Sequence, residues 1–177
     1  MKKFSRVRDG EDALKHLWAP WRIEYILSLD KEPGCLFCRC LGEDDDKKNL
    51  VLLRAELCFS MFNRYPYNNG HLMIVPNSHC SRLSDLSEEE LVAMMQMTQK
   101  LEALLAQEMN PDGFNVGFNL GRPAGAGIKD HLHMHIVPRW NGDTNFISVL
   151  DDTRVVPESL EKLHESLSRA LGSEEEA

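Results

Sequence analysis

Apolar and polar positions along the chain fall into phased runs that place most of its elements. Leu50–Leu53 and Glu56–Phe62 read as two strands, and Asn68-Asn69-Gly70 is a strong turn signal. The apolar run His71-Leu-Met-Ile-Val75, stopped by Pro76, is a third strand, so an antiparallel hairpin is expected around a Tyr65-Pro66-Tyr67 tip. Phe114–Leu120 alternates, as a strand does, and Leu132–Val137 forms another strand closed by Pro138. Ser87 with Glu90 makes a capping box for the longest helix, which should run to about Met109. Its apolar stripe is expected to be Leu91, Met94, Met95, Thr98, Leu101 and Leu105, the methionines serving as core packing rather than as a cofactor site. A last helix should span about Pro157 to Leu171, with 173–177 frayed. Gly34–Cys40 reads as a compact turn and Gly42–Lys48 as a solvated loop. Trp21, Tyr25 and Ile26 at helical spacing after Pro20 predict a short amphipathic helix that needs cover from the main body or a second subunit. Strands grouped around one long helix define an α+β fold, a mainly antiparallel five-stranded sheet with a long helix and a C-terminal helix.

Composition narrows the partners. A chain of 177 residues supports one well-buried core with peripheral segments. Its formal charge of −8 argues against a general grip on nucleic-acid polymers, but local donors can still hold a small anion. No run is long enough to span a membrane, and the start lacks the apolar stretch of a secretory signal, so a cytoplasmic location is expected. Five cysteines without such a signal speak for reduced thiols, and Cys35-x-x-Cys38 then reads as a metal clamp or a redox motif.

The chemistry concentrates in His131-Leu132-His133-Met134-His135. Alternate side chains of a strand share a face, so the three histidines line up while Leu132, Met134 and Ile136 enter the core behind them. Three of only seven histidines in alternation is a poor fit to chance, although a metal-binding strand remains an open alternative. Directly before them stands a glycine-rich stretch from Gly121 through Gly125 and Gly127 to Ile128, whose backbone N–H groups could approach an anion. A neutral histidine can attack phosphorus while nearby donors carry the growing charge.

The run His131-Leu-His133-Met-His135-Ile-Val-Pro138, with Phe62-Asn63, Gly70–Pro76 and Asn115–Gly121, resembles the signature of the histidine triad (HIT) nucleotide hydrolases and transferases over about residues 34–140. Trp18-Ala-Pro-Trp21-Arg and Pro138–Phe146 resemble a bacterial branch that includes diadenosine polyphosphate phosphorylases. The resemblance implies an arm at 1–33, a HIT domain at 34–140 and a C-terminal extension at 141–177. It implies His133 as the nucleophile that forms a covalent nucleotidyl-histidine on the α-phosphorus, with His135 hydrogen-bonding the phosphate or leaving oxygen. Asn63 falls where the ribose is held, Asn119 where phosphate and leaving group are contacted, and Leu36 and Phe37 where the base is walled. Without the family, Phe37 reads as ordinary core. Gly125 and Gly127 fall at the phosphate. The resemblance also implies a structural zinc ion held by Cys35, Cys38, His79 and His131, and a homodimer. The chain departs from the family pattern at Gly127 and Ile128, where Ser, Thr or Gln is usual, which weakens phosphorolysis more than nucleotidyl transfer.

Three functions follow. The leading expectation is an enzyme acting on a small nucleotide, by phosphorolysis or hydrolysis of a diadenosine polyphosphate, with hydrolysis of a nucleoside phosphoramidate as the alternative within that class. A non-catalytic nucleotide-binding or interaction module would keep its phenotype without His133. A metal enzyme using all three histidines would need its metal for turnover.

Overall fold

A computed structural model describes residues 34–143 and 158–175. The elements in chain order are α1 (Leu36–Gly42), α2 (Asp46–Asn49), β1 (Val51–Arg54), β2 (Cys58–Phe62), β3 (Leu72–Pro76), α3 (Glu88–Met109), β4 (Gly113–Phe118), β5 (Met134–Arg139) and α4 (Leu160–Glu175). The strands form one sheet of five in the order β1-β2-β3-β5-β4, and every neighbouring pair is antiparallel. The α+β architecture read from the sequence is therefore the observed one, including the β2–β3 hairpin, whose last rung pairs Phe62 with Leu72.

Both faces of the sheet are covered, and the alternation within each strand divides the cover. On one face Cys58, Phe62, Leu72, Ile74, Met134 and Ile136 meet α3 and α4 in the larger core. On the other, Phe59, Met61, Met73 and Val75 meet Phe37 and Cys40 of α1. The central strands β2 and β3 are consequently buried along their whole length. Helix α3 starts at the expected capping box, Ser87 Oγ accepting from the Glu90 N–H and the Glu90 carboxylate from the Ser87 N–H.

Several local expectations are corrected. The stripe of α3 runs through Met94, Met97, Thr98, Leu101, Leu104 and Leu105, whereas Leu91 and Met95 are 36% and 54% exposed. Met95 lies one residue, about 100° around the helix, from Met94, and adjacent methionines left that phase open. Gly34–Cys40 is not a free turn, because Leu36–Gly42 is helical and sinks Phe37 and Cys40. The 42–48 stretch holds the short helix α2, capped by Asp45, whose carboxylate accepts from the Lys48 N–H. β3 ends at Pro76, opposite Cys58, as expected, whereas β5 runs through Pro138, opposite Phe114, to Arg139. The β3–β5 ladder ends before either proline, so neither missing N–H breaks a rung there. The last helix begins at Leu160 and continues through Glu175. The Trp18–Ile26 segment lies outside the described residues, as does the end of the 138–146 run beyond Asp143.

Candidate active site and metal cluster

The three histidines are buried on the α1 face of the sheet, with Leu132, Met134 and Ile136 in the opposite core as the alternation requires. Regular pairing begins only at Met134, so His131 and His133 sit on the extended lead-in to β5. The His133 and His135 rings are 5.0 Å apart, and Phe37 reaches His133 at 5.1 Å and His131 at 5.3 Å. Phe37 is fully buried and thus braces the triad from the far side.

Hydrogen bonds fix the protons of His133 and His135. His133 Nδ1 lies 3.0 Å from the His131 carbonyl, which can only accept, so Nδ1 carries the hydrogen and Nε2 keeps a free lone pair. Burial pushes the His133 pKa below its ordinary value, opposed by that backbone bond, and the ring is neutral near pH 7. His135 is set by a longer chain. The Tyr67 N–H donates to His71 Nδ1 at 3.0 Å. His71 Nε2 must then carry its hydrogen and donate to His135 Nδ1 at 2.9 Å, which leaves the His135 hydrogen on Nε2. Asn119 Nδ2 approaches that nitrogen at 3.4 Å. Burial, followed by the neighbouring His135 and His133, drives the His71 pKa down to about 2, so His71 stays uncharged.

Cys35, Cys38, His79 and His131 converge with their ligand atoms within 4.8 Å of one another. His131 Nδ1 lies 3.2 Å from His79 Nδ1, 3.3 Å from Cys35 Sγ and 3.6 Å from Cys38 Sγ, and Cys38 Sγ lies 3.3 Å from His79 Nδ1. A tetrahedral zinc site with ordinary bond lengths has edges of about 3.3 Å between two nitrogens and about 3.6 Å between nitrogen and sulfur. The cluster has the size such an ion requires. His131 Nε2 donates to the Pro76 carbonyl at 3.0 Å, which turns the Nδ1 lone pair toward the cluster.

An open cavity of about 1150 Å³ lies on the triad's face of the sheet, lined in part by Leu36, Met61, Asn63, Met73, Gly127 and Ile128. Met73 is the cross-strand partner of both Met61 and His135, so these three side chains share one face. Of the residues expected at a nucleotide, Leu36, Asn63 and Gly127 line this cavity. Phe37 lies beneath the triad, and Asn119 stands beside His135. Asn63 Oδ1 accepts from the Tyr65 N–H at 2.9 Å. In the glycine-rich stretch the N–H groups of Ala124, Gly125 and Ala126 are donated to the Gly121 and Arg122 carbonyls, so that part of the turn closes on itself.

Comparison with known proteins matches this arrangement to a family. The HIT domain model matches residues 45–142. The chain is 38% identical over 164 residues to the AP-4-A phosphorylase of Mycobacterium tuberculosis, covering 89% of this chain and 84% of that protein. The chain belongs to the HIT domain family. It is also 25% identical to adenosine 5'-monophosphoramidase hnt1 of Schizosaccharomyces pombe, over 78% of this chain and 98% of the relative. Among solved structures it resembles a zinc-bound histidine triad family protein from Mycobacterium smegmatis, with a TM-score of 0.61, 24% identity, and coverage of 79% of this chain and 96% of that one.

Within this HIT domain one residue stands out that sequence reasoning left without a role. His71 lies within the Gly70–Pro76 stretch of the resemblance but was given no role, and its task depends on a partner 64 positions away.

Proposed function

We propose that the chain is a nucleotide hydrolase or transferase whose nucleophile is His133 Nε2, acting on the α-phosphorus of a nucleoside 5'-phosphoryl substrate. The observation that carries this reading is the bond from His133 Nδ1–H to the His131 carbonyl, which commits one ring nitrogen and presents the other as a neutral lone pair. In the first step the Nε2–phosphorus bond forms as the bond from phosphorus to the leaving oxygen breaks. The leaving group departs as an anion, and the imidazolium of the covalent nucleotidyl-histidine keeps its Nδ1 hydrogen on the carbonyl. His135 Nε2–H and Asn119 donate to the phosphoryl or leaving oxygens. Water or phosphate then opens the phosphorus–nitrogen bond, a proton is released, and neutral His133 returns.

In the same reading Asn63 holds the ribose, Leu36 walls the base, the Gly125–Gly127 turn borders the phosphate, and Phe37, expected at the base, instead packs as core behind the triad. Cys35, Cys38, His79 and His131 would hold one structural zinc ion. Four protein ligands close its coordination shell, so the ion would fix His131, and through its carbonyl the orientation of His133, without entering the reaction. Likeness to the M. tuberculosis AP-4-A phosphorylase supports a diadenosine polyphosphate substrate, split by phosphate or water. Likeness to the S. pombe phosphoramidase makes a nucleoside phosphoramidate the second substrate to test. The chain is read as an arm (1–33), a HIT domain (34–140) and an extension (141–177) whose helix α4 seats Leu163, Leu167 and Leu171 in the core. A homodimer in the cytoplasm completes the reading. Among the described residues no helix is long and apolar enough to cross a membrane.

The test is to trap the intermediate. Incubation with diadenosine tetraphosphate or adenosine phosphoramidate, followed by acid-free mass spectrometry, should place a nucleotidyl group on the His131–His135 peptide, and His133→Ala should abolish it. Absence of adduct and of turnover with both substrates would overturn the reading.

A further inference from the structure

The turn that carries Tyr67 is held from one side by a buried carboxylate. Asp143 is the last described residue of the Pro138–Phe146 run and stands one residue past the stretch that the HIT domain model matches. Its side chain is only 8% exposed. Arg139 donates to both of its carboxylate oxygens, the Trp140 N–H donates to Oδ2 at 3.2 Å, and Asn68 Nδ2 donates to Oδ2 at 2.8 Å. A carboxylate is stable out of water only where charged and neutral donors surround it, and this one has both. The other hydrogen of the Asn68 amide goes to the Pro138 carbonyl at 3.1 Å. Both partners can only accept, so the amide has a single orientation.

Asn68 passes this hold to the histidines through its own backbone. Its carbonyl accepts from the His71 backbone N–H at 3.2 Å, and the N–H of the residue before it, Tyr67, donates to His71 Nδ1 at 3.0 Å. The Tyr67 ring lies 4.6 Å from the His71 ring and 5.6 Å from that of His135, tilted by 35° to each. Pro66, Tyr67 and Asn68 are nevertheless only half-buried, so this tip has no deep apolar seat, and the polar tie to the end of β5 takes that place. The Tyr67 N–H is what makes His71 Nδ1 an acceptor. Should the turn draw away, the His71 hydrogen can move to Nδ1, His135 loses its donor, and both rings can take either tautomer.

We propose that Asp143 is a positioning residue, which through Asn68 holds the Tyr67 peptide and ring against His71 and so keeps the His135 hydrogen on Nε2, the nitrogen beside Asn119. The effect on turnover rests on the reading above, in which His135 Nε2–H donates to the substrate. The tautomer of His135 in the free protein does not.

The test uses the full chain with isotope-labelled histidine and no substrate. Proton–nitrogen correlation spectra distinguish the two tautomers, and His135→Gln assigns the His135 signals. In wild type the protonated and unprotonated nitrogens of His135 should be well separated. In Asn68→Ala, which leaves the Arg139–Asp143 pair in place, they should move toward each other as both tautomers are populated. His135 signals that keep their wild-type positions overturn the proposal, whatever happens to turnover. With whichever of diadenosine tetraphosphate and adenosine phosphoramidate is turned over, kcat should fall about tenfold in Asn68→Ala while KM stays within about threefold. A loss carried by KM alone overturns the positioning role. Asp143→Ala should behave alike, and the Asn68→Ala/Asp143→Ala double variant should be no slower than the slower single one, because both act along one path. Effects that multiply overturn that path. Should Asp143→Ala fail to fold, the Asn68→Ala signals decide alone. Wild-type protein that forms no adduct on His133 would sink the nucleophile reading, and the tautomer measurement would still decide what Asp143 does.

Discussion

At His133 and His71 the same physical cause, burial, bears on the proposed chemistry in one ring and on stability in the other. The His133 lone pair is useful only in the neutral ring, and burial holds its pKa below the ordinary 6.5. Activity should therefore stay level as pH falls past 6.5 and decline only through the lowered value, measured as kcat/KM against pH; a decline beginning above 6.5 would contradict the assignment. His71 never enters this titration, since its pKa lies near 2. In the unfolded chain it takes a proton below about 6.5. Between those limits the unfolded state binds more protons, so the stability His71 contributes is fully present above pH 6.5 and is lost progressively on acidification. The slope is at most about 1.4 kcal/mol per pH unit for one such group. The melting temperature should fall between pH 7 and pH 4.5, and less steeply in His71→Asn. The same variant tests positioning. Without the Nε2–H bond His135 can rotate or take the other tautomer, so kcat should drop roughly 10²-fold with a much smaller change in KM.

The elements explain why His71 can do this, and why parts of the site were readable before the fold was known. Gly70 turns the chain into β3 at φ +73°, where a Cβ would lie 2.8 Å from Met109 Sδ and 3.0 Å from Pro138 Cγ. The thioether can move but the proline in β5 cannot, so Gly70→Ala should cost about 1–3 kcal/mol in urea unfolding. A cost near zero would mean that the turn relaxes. Asn69-Gly70 was legible because a turn residue with positive φ leaves a compositional trace, and the alternating histidines were legible because a strand repeats every two residues. The His71–His135 bond left no trace, since it depends on β3 and β5 being neighbours although 57 residues separate Pro76 from Met134. Helix α1 was missed for a related reason. Its seven residues hold no alternation long enough to phase, and tertiary burial of Phe37 and Cys40 selects the helix. The stripe of α3 was mostly legible, and its error at Leu91 and Met95 came from apolar residues that stand in solvent.

Across the whole molecule, the candidate metal cluster brings together segments that lie far apart in the sequence. Cys35 and Cys38 belong to the start of α1, His79 to the loop after β3, and His131 to the lead-in to β5, the first and last being 96 positions apart. A metal bound there closes long loops in the folded state only, so its binding free energy adds to folding stability. Bound there, it would also anchor the residue whose carbonyl orients His133, coupling the cluster to the proposed nucleophile through a single backbone bond. Purified protein should carry one zinc per chain by elemental analysis, and Cys38→Ser should lose it. Removing the ion with a chelator should lower the melting temperature by roughly 10 °C or more, since each kcal/mol is worth about 2–4 °C in a chain of this size. A structural ion and a catalytic one part at the next measurement. At a temperature where the chelated protein remains folded by circular dichroism, His133 keeps its lone pair and its hydrogen bond, so kcat should stay within an order of magnitude of the loaded enzyme. Complete loss of turnover with the fold intact would move the metal into the reaction, and the three histidines would then have to be read together as its ligands.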